Sequence, residues 1–239
     1  MREAGEALDF SSTEVVTFDC YGTLIDWETG IYNALQPIVE AHGTPLEKDV
    51  LLELYAGIEA EIERQIPFRS YRTVLNEVVE VIGARLGWTP SSAECEALSA
   101  SLPGWPPFED TVTALHDLGE ICRLVVISNV DDDLFAGTSG NLGVAFDHVI
   151  TAQQVGAYKP DISVFERALQ IINVEKESIV HVAQSLFHDI APARDLGLRT
   201  VWVNRRKGQE GWGATPPANV HPHMEVPDLK SFMSQMVQT

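Results

Sequence analysis

Hydrophobic residues occur along the chain in two kinds of pattern, short apolar runs and longer stretches with helical spacing. The short runs are typical of buried strands and cover residues 15–18, 124–127, 179–183 and 200–203, with a weaker run at 148–150. Helical patterns separate most of these runs. Strands that alternate with helices predict βαβ units, so the sequence indicates an α/β fold with a parallel sheet.

The stretch between the first two strand-like runs is different, because it contains only helical patterns. Apolar residues recur every three or four positions over residues 31–39, 51–62 and 71–86. The segment PGWPP at 103–107 then interrupts the pattern, as proline and glycine do at domain boundaries. We therefore predict a catalytic core made of residues 1–28 and 104–239, with an all-helical insert over residues 29–103.

The remaining elements expected in the core are mostly helices. They are predicted near 108–118, from Asp132 onward, over 162–172, over 188–196 and over 228–237. The segment 205–227 is rich in glycine, proline and histidine, and it is expected to be irregular.

Composition limits the possible partners and compartments. The chain has 239 residues with 16 basic and 35 acidic side chains, giving a net charge of −19 that disfavours nucleic acids and anionic membranes. Three cysteines are an odd and sparse set that suits a reducing compartment. We find no signal-like segment and no apolar stretch of the ~20 residues that a membrane span needs. A soluble cytoplasmic protein is expected.

Polar residues stand directly after the strand-like runs or between a strand and a helix. They are Asp19, Ser128 with Asn129, Lys159 and Asp189. Ligands of open parallel sheets bind beyond the carboxyl ends of the strands, so these side chains are expected to converge. A carboxylate such as Asp19 can act as a nucleophile when it is desolvated and aimed, and a nearby lysine keeps it ionised.

Several neighbouring groups are candidates for binding an anionic substrate. Hydrogen bonds to an anion are expected from Ser128, Asn129 and the backbone amides of Cys20 and Tyr21. Thr23 is expected to position Asp19. His181 lies inside a predicted strand, and we interpret it as a core residue.

The segments FDCYGTLID, ISNVDDD, GAYKPDISVF and VAQSLFHDIAPARDLG resemble the four motifs of the haloacid dehalogenase superfamily. The resemblance implies a Rossmann-like core with a helical cap after the first strand. It further implies that Asp19 is a covalent nucleophile, that Ser128 holds an anionic group and that Lys159 balances charge. Asp189 would serve water or a metal ion.

Two positions favour the dehalogenase branch of that superfamily. Its phosphatases carry a second aspartate, an acid that protonates the leaving group, where this chain has Tyr21. A halide leaves without a proton, so a dehalogenase needs no acid there. Ser185 replaces the upstream acid of the phosphatases' magnesium site, and Ser185 is a candidate for substrate binding instead. The resemblance thus implies a short 2-haloalkanoic acid as substrate and no cofactor.

The residues expected to contact the substrate depart from the dehalogenase pattern. Ala56 or a neighbour stands where those enzymes carry a halide-binding arginine, and Arg64, Arg69 or Arg72 are possible substitutes. Gln184, Leu186 and Phe165 replace the family's serine, asparagine and tyrosine.

Three functions follow from these observations. The preferred one is hydrolytic dehalogenation through an aspartyl ester on Asp19. The alternatives are a magnesium-dependent phosphatase of a small phosphorylated metabolite and a non-catalytic binding protein on the same fold. The family resemblance also suggests a homodimer.

Overall fold

The computed structural model describes residues 8–237, which fold around a six-stranded parallel sheet with the strand order β3-β2-β1-β4-β5-β6. The strands are β1 (Val15–Phe18), β2 (Arg123–Ser128), β3 (His148–Thr151), β4 (Ile179–Ala183), β5 (Arg199–Val203) and β6 (Met224–Val226). The predicted α/β class with a parallel sheet is confirmed. Residues 1–7 and 238–239 of the predicted core lie outside the described part of the chain.

Strand β1 occupies the middle of the sheet, and all four of its residues are buried. A central parallel strand is covered by helices on both faces, which explains its continuous β-branched and aromatic sequence. Phe18 is level with Val126 of β2 and with Val182 of β4. Asp19 therefore begins the loop at the carboxyl edge of the sheet, between the ends of two neighbouring strands.

Four helices follow β1 before the chain returns to the sheet, and we call them the cap helices. They are α1 (Trp27–Ala41), α2 (Lys48–Glu63), α3 (Tyr71–Leu86) and α4 (Ser92–Ser101). Local signals define their ends: Ser91 and Glu94 form a capping box at α4, and Gly87 ends α3 at φ 89°. The predicted helical insert is present, whereas the division into a core and a cap as separate domains stays a prediction.

The other helices connect the strands. They are α5 (Thr111–Gly119), α6 (Asp132–Ser139), α7 (Ala152–Val155), α8 (Ile162–Ile172), α9 (Ala191–Asp195) and α10 (Leu229–Met236). Helix α8 begins after Asp161, whose carboxylate accepts a hydrogen bond from the amide of Ser163. It ends at Asn173, which adopts a left-handed conformation at φ 53°.

Three details differ from the sequence predictions. The helix expected from residue 108 begins at Thr111, because Pro107 first forms an isolated β-bridge with Ile25. The segment expected to be one helix over 188–196 begins as a π-helical turn, Leu186–Ile190, and only then continues as α9. In this turn the amides of Asp189 and Ile190 both donate to the carbonyl of Ser185. The segment expected to be irregular contains β6, a three-residue edge strand too short to give a hydrophobic pattern.

Within residues 8–237, no helix is both long enough and apolar enough to cross a bilayer.

Candidate active site

Asp19 is held at the carboxyl end of β1 by two hydrogen bonds, one on each carboxylate oxygen. The hydroxyl of Thr23 donates to Oδ2 at 2.7 Å, and the ammonium of Lys159 donates to Oδ1 at 2.9 Å. Thr23 is itself fixed, because its Oγ1 accepts from the amide of Gln184 at 2.8 Å. The turn between them needs Gly22, whose φ of 94° favours glycine. Asp19 is thus oriented before any ligand binds.

Lys159 is the buried cation of the site, with 1% of its surface exposed. Its ammonium donates to Asp19, to Asp189 Oδ1 at 2.6 Å and to the carbonyl of Ile127 at 2.8 Å. Three donors with three acceptors satisfy the group completely. Its backbone is fixed by the Asn129 amide, which accepts from Lys159 N at 2.7 Å and donates to Lys159 O at 3.0 Å.

Asp189 lies on the π-helical turn and is 1% exposed. Its Oδ1 accepts from Lys159 and lies 3.1 Å from Nε2 of His181. The other ring nitrogen of His181 lies 2.9 Å from the hydroxyl of Thr17. His181 is buried as predicted, but sequence reasoning missed that it contacts Asp189. The sequence feature that could have indicated this contact is the position of His181 on β4, opposite Thr17 of β1.

The charges in this cluster shift the pKa values of its members. Burial raises the pKa of the Asp19 carboxyl above its ordinary value, and Lys159 opposes that rise. Burial acts in the same direction on Asp189, but Lys159 and His181 outweigh it and hold the pKa of Asp189 below its ordinary value. Burial would lower the pKa of Lys159, yet Asp189 and Asp19 raise it. The lysine is therefore charged, and Asp189 is its preferred counter-ion.

A small cavity of about 30 Å³ adjoins these groups. Its lining residues from the core are Asp19, Tyr21, Ser128, Asn129, Lys159, Ser185, His188, Asp189 and Thr215. Ser128 Oγ is buried and has no hydrogen-bond partner among residues 8–237. The same holds for Oδ2 of Asp189. Buried polar atoms without partners are unusual, so both indicate the place of a ligand or water molecule.

The other predicted binding residues already have partners within the protein or are fully buried. Ser185 Oγ accepts from the amide of His188 at 2.8 Å, and Tyr21 OH lies 2.9 Å from Thr138 Oγ1. Cys20 is fully buried, and burial raises the pKa of its thiol well above the ordinary value. Every predicted site residue except Cys20 and Thr23 thus lines the cavity, and Thr23 supports Asp19, while the roles of all these residues in binding stay predictions.

The cap helices contribute residues that sequence reasoning missed. Trp27, Glu59, Glu63 and Tyr71 line the same cavity from the cap side. Burial raises the pKa of Glu59 to about 7 and that of Glu63 well above its ordinary value. The available signal was an acid at residue 59 inside the apolar stripe of α2. Thr215 enters from the loop between β5 and β6.

A larger crevice of about 330 Å³ lies beside the cavity, between the cap helices and the core. Glu63, Lys159 and His188 line both spaces, so the two spaces adjoin at these residues. Burial lowers the pKa of His188 to about 4, which makes its imidazole neutral at neutral pH.

No predicted arginine substitute lines the small cavity. Arg69 pairs with Glu77, and Arg72 donates to Asp133 at 2.6 Å. Arg64 lines only the larger crevice. Ala56, the position of the family's arginine, is buried at 5% exposure. The cap side of this cavity is therefore acidic and aromatic.

Asp19, Asp189 and Ser185 are the groups near the nucleophile that a magnesium ion would have to use. Asp19 and Asp189 each give one carboxylate oxygen to Lys159, and Oδ2 of Asp189 has no partner among residues 8–237. Ser185 offers a neutral hydroxyl in place of the second acid, and hard cations prefer anionic oxygen ligands. Across residues 8–237, no three His, Cys, Asp or Glu side chains converge as a metal site.

Comparison with known proteins agrees with this arrangement. A family model described as haloacid dehalogenase-like hydrolase matches residues 13–197. The chain belongs to the haloacid dehalogenase-like hydrolase family. The match spans all the elements that position Asp19, Lys159 and Asp189.

Relatives of this hydrolase include both dehalogenases and a phosphatase. (S)-2-haloacid dehalogenase H-109 of Pseudomonas putida is 25% identical over 223 residues, which cover 90% of this chain and 96% of that protein. Glyceraldehyde 3-phosphate phosphatase of Pyrococcus furiosus is 35% identical over 205 residues, covering 82% and 83%. The chain is thus a hydrolase whose relatives include 2-haloacid dehalogenases.

Solved structures of dehalogenases share its fold. The L-2-haloacid dehalogenase of Xanthobacter autotrophicus with chloropropionic acid covalently bound superposes with a TM-score of 0.78 at 18% identity, covering 95% of this chain and 98% of that one. The defluorinating L-2-haloacid dehalogenase Rha0230 gives a TM-score of 0.80 at 20% identity, covering 96% and 99%.

Proposed function

We propose that this hydrolase removes the halogen from short 2-haloalkanoic acids through an aspartyl-ester intermediate on Asp19. The observation that carries the proposal is the pair of hydrogen bonds that Thr23 and Lys159 make to the two oxygens of Asp19. They orient a buried carboxylate that lines the cavity. The dehalogenase relatives support the same reaction class.

In the first step, the Asp19 carboxylate attacks C2 of the substrate from the side opposite the halogen. The new bond joins a carboxylate oxygen to C2, and the halide leaves with the bonding electron pair. No proton is transferred, so Tyr21 is adequate where the family's phosphatases carry an acid. The unpartnered hydroxyl of Ser128 is available to donate to the substrate carboxylate.

In the second step, water attacks the ester carbonyl carbon of Asp19. Asp189 accepts a proton from this water through its unpartnered Oδ2, and the 2-hydroxy acid leaves with inverted configuration at C2. One oxygen of the water remains in the Asp19 carboxylate. The excess proton passes to solvent, so the products are a hydroxy acid, a halide ion and a proton. Lys159 holds Asp189 in place throughout.

Isotope labelling tests this proposal directly. The enzyme is incubated in H₂¹⁸O with excess enzyme over 2-chloropropionate, and the peptide that contains Asp19 is analysed by mass spectrometry. We expect one ¹⁸O atom in the Asp19 side chain and equimolar chloride release. Asp19→Asn abolishes both, which also excludes the binding-protein alternative. Label found only in the product alcohol, or no halide from a panel of haloacids, refutes the proposal.

A magnesium-dependent phosphatase is the second candidate, and the 35% identity to a phosphatase favours it. The two candidates respond differently to metal removal. We expect chloride release to continue in EDTA, since the displacement of halide by Asp19 needs neither a proton nor a metal ion. Phosphate release from small phosphate esters that appears with added Mg²⁺ and stops with EDTA establishes the phosphatase instead. The homodimer and the cytoplasmic location stay predictions.

A further inference from the structure

Helix α2 carries two carboxyl groups, Glu59 and Glu63, over the nucleophile. They are four residues apart and therefore share one face of the helix, which is the face that lines the cavity around Asp19. Glu59 is 2% exposed, and Glu63 is partly buried. A dehalogenase of the usual pattern is expected to present a cationic arginine from the cap, whereas the cap helices of this protein present two acids.

Glu59 is rigidly oriented by two tyrosines. Its Oε1 accepts from Tyr55 OH at 2.6 Å and from Tyr71 OH at 2.5 Å. The two phenol oxygens lie 3.1 Å from each other. This geometry presents Glu59 to the cavity as a fixed hydrogen-bond acceptor, with no rotational freedom to swing away.

Glu63 is much less well satisfied. The Asn129 amide reaches its two oxygens only at 3.3 and 3.5 Å, and that amide donates better to the carbonyl of Lys159 at 3.0 Å. Neither Glu59 nor Glu63 forms an ion pair within residues 8–237. Glu63 thus has acceptor capacity that the protein itself leaves largely unused.

The charge around the cavity limits which substrate groups it accepts. Four carboxyl groups, those of Asp19, Asp189, Glu59 and Glu63, line the cavity together with the single ammonium of Lys159. Burial raises the pKa of both glutamates, and the charge of Glu59 adds to the rise at Glu63. A substrate group that donates a hydrogen bond stabilises the ionised, accepting form of Glu63, whereas a second anion on this side disfavours that form.

The core side of the cavity favours a substrate group that accepts a hydrogen bond. The hydroxyl of Ser128 is 1% exposed and has no partner among the described residues, so it is a free donor. The cavity therefore offers a donor on the core side and acceptors on the cap side. A ligand that satisfies both sides has an anionic end and a donor end.

We propose that the substrate is a 2-haloacid whose carbon chain carries a hydrogen-bond donor beyond C2, and that Glu63 is the specificity-determining residue that binds this donor. This rests on the proposed dehalogenase function. The halogenated carbon lies at Asp19, the carboxylate at Ser128 and the donor at the cap. Glu63 lines the same cavity as Asp19 and Ser128, so one small substrate can contact all three residues.

Three substrates of similar size test the proposal, with chloride release as the measurement. They are 2-chloro-3-hydroxypropanoate, which carries a donor, 2-chlorobutanoate, which carries a methyl group in its place, and 2-chlorosuccinate, which carries a second anion. We expect kcat/KM for the hydroxyl substrate to exceed that for 2-chlorobutanoate by about tenfold or more, since a site built to bind a donor rejects the analogue that lacks it. 2-Chlorosuccinate is expected to be the poorest.

Variants then assign the preference to Glu63. We expect Glu63→Met to bring the ratio of the kcat/KM values for the hydroxyl substrate and 2-chlorobutanoate to about one, and Glu63→Gln to reduce this ratio partly. Glu61→Gln is the matched control, because Glu61 lies on the same helix and pairs with Arg85 at the surface. Equal rates for the first two substrates, a preference for 2-chlorosuccinate, or a preference that survives Glu63→Met overturns the inference while the dehalogenase function stands. Halide release from none of the three overturns the inference, and it refutes the dehalogenase function as well only if 2-chloropropionate also gives no halide.

Discussion

The imidazole Nε2 of His181 lies 3.1 Å from Oδ1 of Asp189, and both side chains are buried. His181 belongs to a sheet strand, whereas Asp189 belongs to the π-helical turn that follows. A group on a rigid strand thereby fixes a group on a turn. His181 does not line the cavity, so any effect it has on turnover must pass through Asp189.

Replacing His181 with phenylalanine tests this relationship. His181 is one of the groups that lower the pKa of Asp189, so its loss should move the acidic limb of the kcat profile to higher pH. We expect kcat to fall by about tenfold or more, because a lost buried hydrogen bond costs about 1–3 kcal/mol, and KM to change little. His181→Gln keeps a donor and should restore part of the rate. His116→Gln, at an exposed site, is the control. An acidic limb that does not move would contradict a positioning role.

Lys159 is expected to be essential for both stability and turnover. Lys159→Met leaves Asp19 and Asp189 buried without their shared cation, and breaking a buried ion pair costs about 3–5 kcal/mol. Urea unfolding at pH 7 should show this loss, and the loss should shrink at low pH, where the carboxyls take up protons. The double variant Lys159→Met with Asp19→Asn should recover part of the stability. Equal losses at pH 7 and pH 4 would refute this electrostatic explanation.

The sequence predicts the core of the site because its residues follow strands. Asp19 directly follows β1, and Ser128 ends β2, so the parallel sheet alone brings them to one edge. The positions of the two cap acids cannot be read in this way. Helical spacing shows which residues share a face of α2, but the docking of that face over Asp19 depends on tertiary packing.

Two other features could not be predicted from local sequence patterns. Strand β6 has three residues, and its pairing with β5 defines it more than its own composition does. Thr215 reaches the cavity from a long loop in which glycine and proline indicate only irregular backbone. In each case the decisive interactions join residues far apart in the chain, so no local pattern could reveal them.

Asp131 joins the loop after β2 to the first turn of α3. Its buried carboxylate accepts from the amides of Tyr71 and Arg72 at 2.8 and 2.9 Å. Carboxylates at a helix N-terminus are stabilising, so Asp131→Ala should lower the free energy of unfolding by about 1–2 kcal/mol. Urea unfolding measures this loss. The Asp131→Ala variant should also show faster proteolysis of the segment 64–70, which precedes α3.

Asp133→Ala is the matched control for Asp131. Asp133 comes from the same part of the chain and also contacts Arg72, but through an exposed ion pair at 2.6 Å. Such pairs contribute about 0–1 kcal/mol. If both variants destabilise equally and neither changes proteolysis, the Asp131 contact does not hold the cap helices to the core.

Glu59 gives the protein a stability that decreases with rising pH. Its pKa rises from 4.5 to about 7 on folding because of burial, so the folded state binds more protons than the unfolded state between these pH values. The stabilising contribution is complete below pH 4.5 and is lost as the pH rises through about 7. At 1.36 kcal/mol for each pKa unit, ionising this carboxyl costs the folded state about 3 kcal/mol.

Glu59→Gln removes this penalty while it keeps an acceptor for the hydroxyls of Tyr55 and Tyr71. The variant should therefore unfold at higher urea concentrations than the wild-type protein at pH 8, and the difference should vanish near pH 4.5. Glu61→Gln, on the exposed face of α2, should show no such trend. A Glu59→Gln effect that is the same at both pH values would mean that packing, and not the ionisation of Glu59, sets the stability of this face of the cap helices.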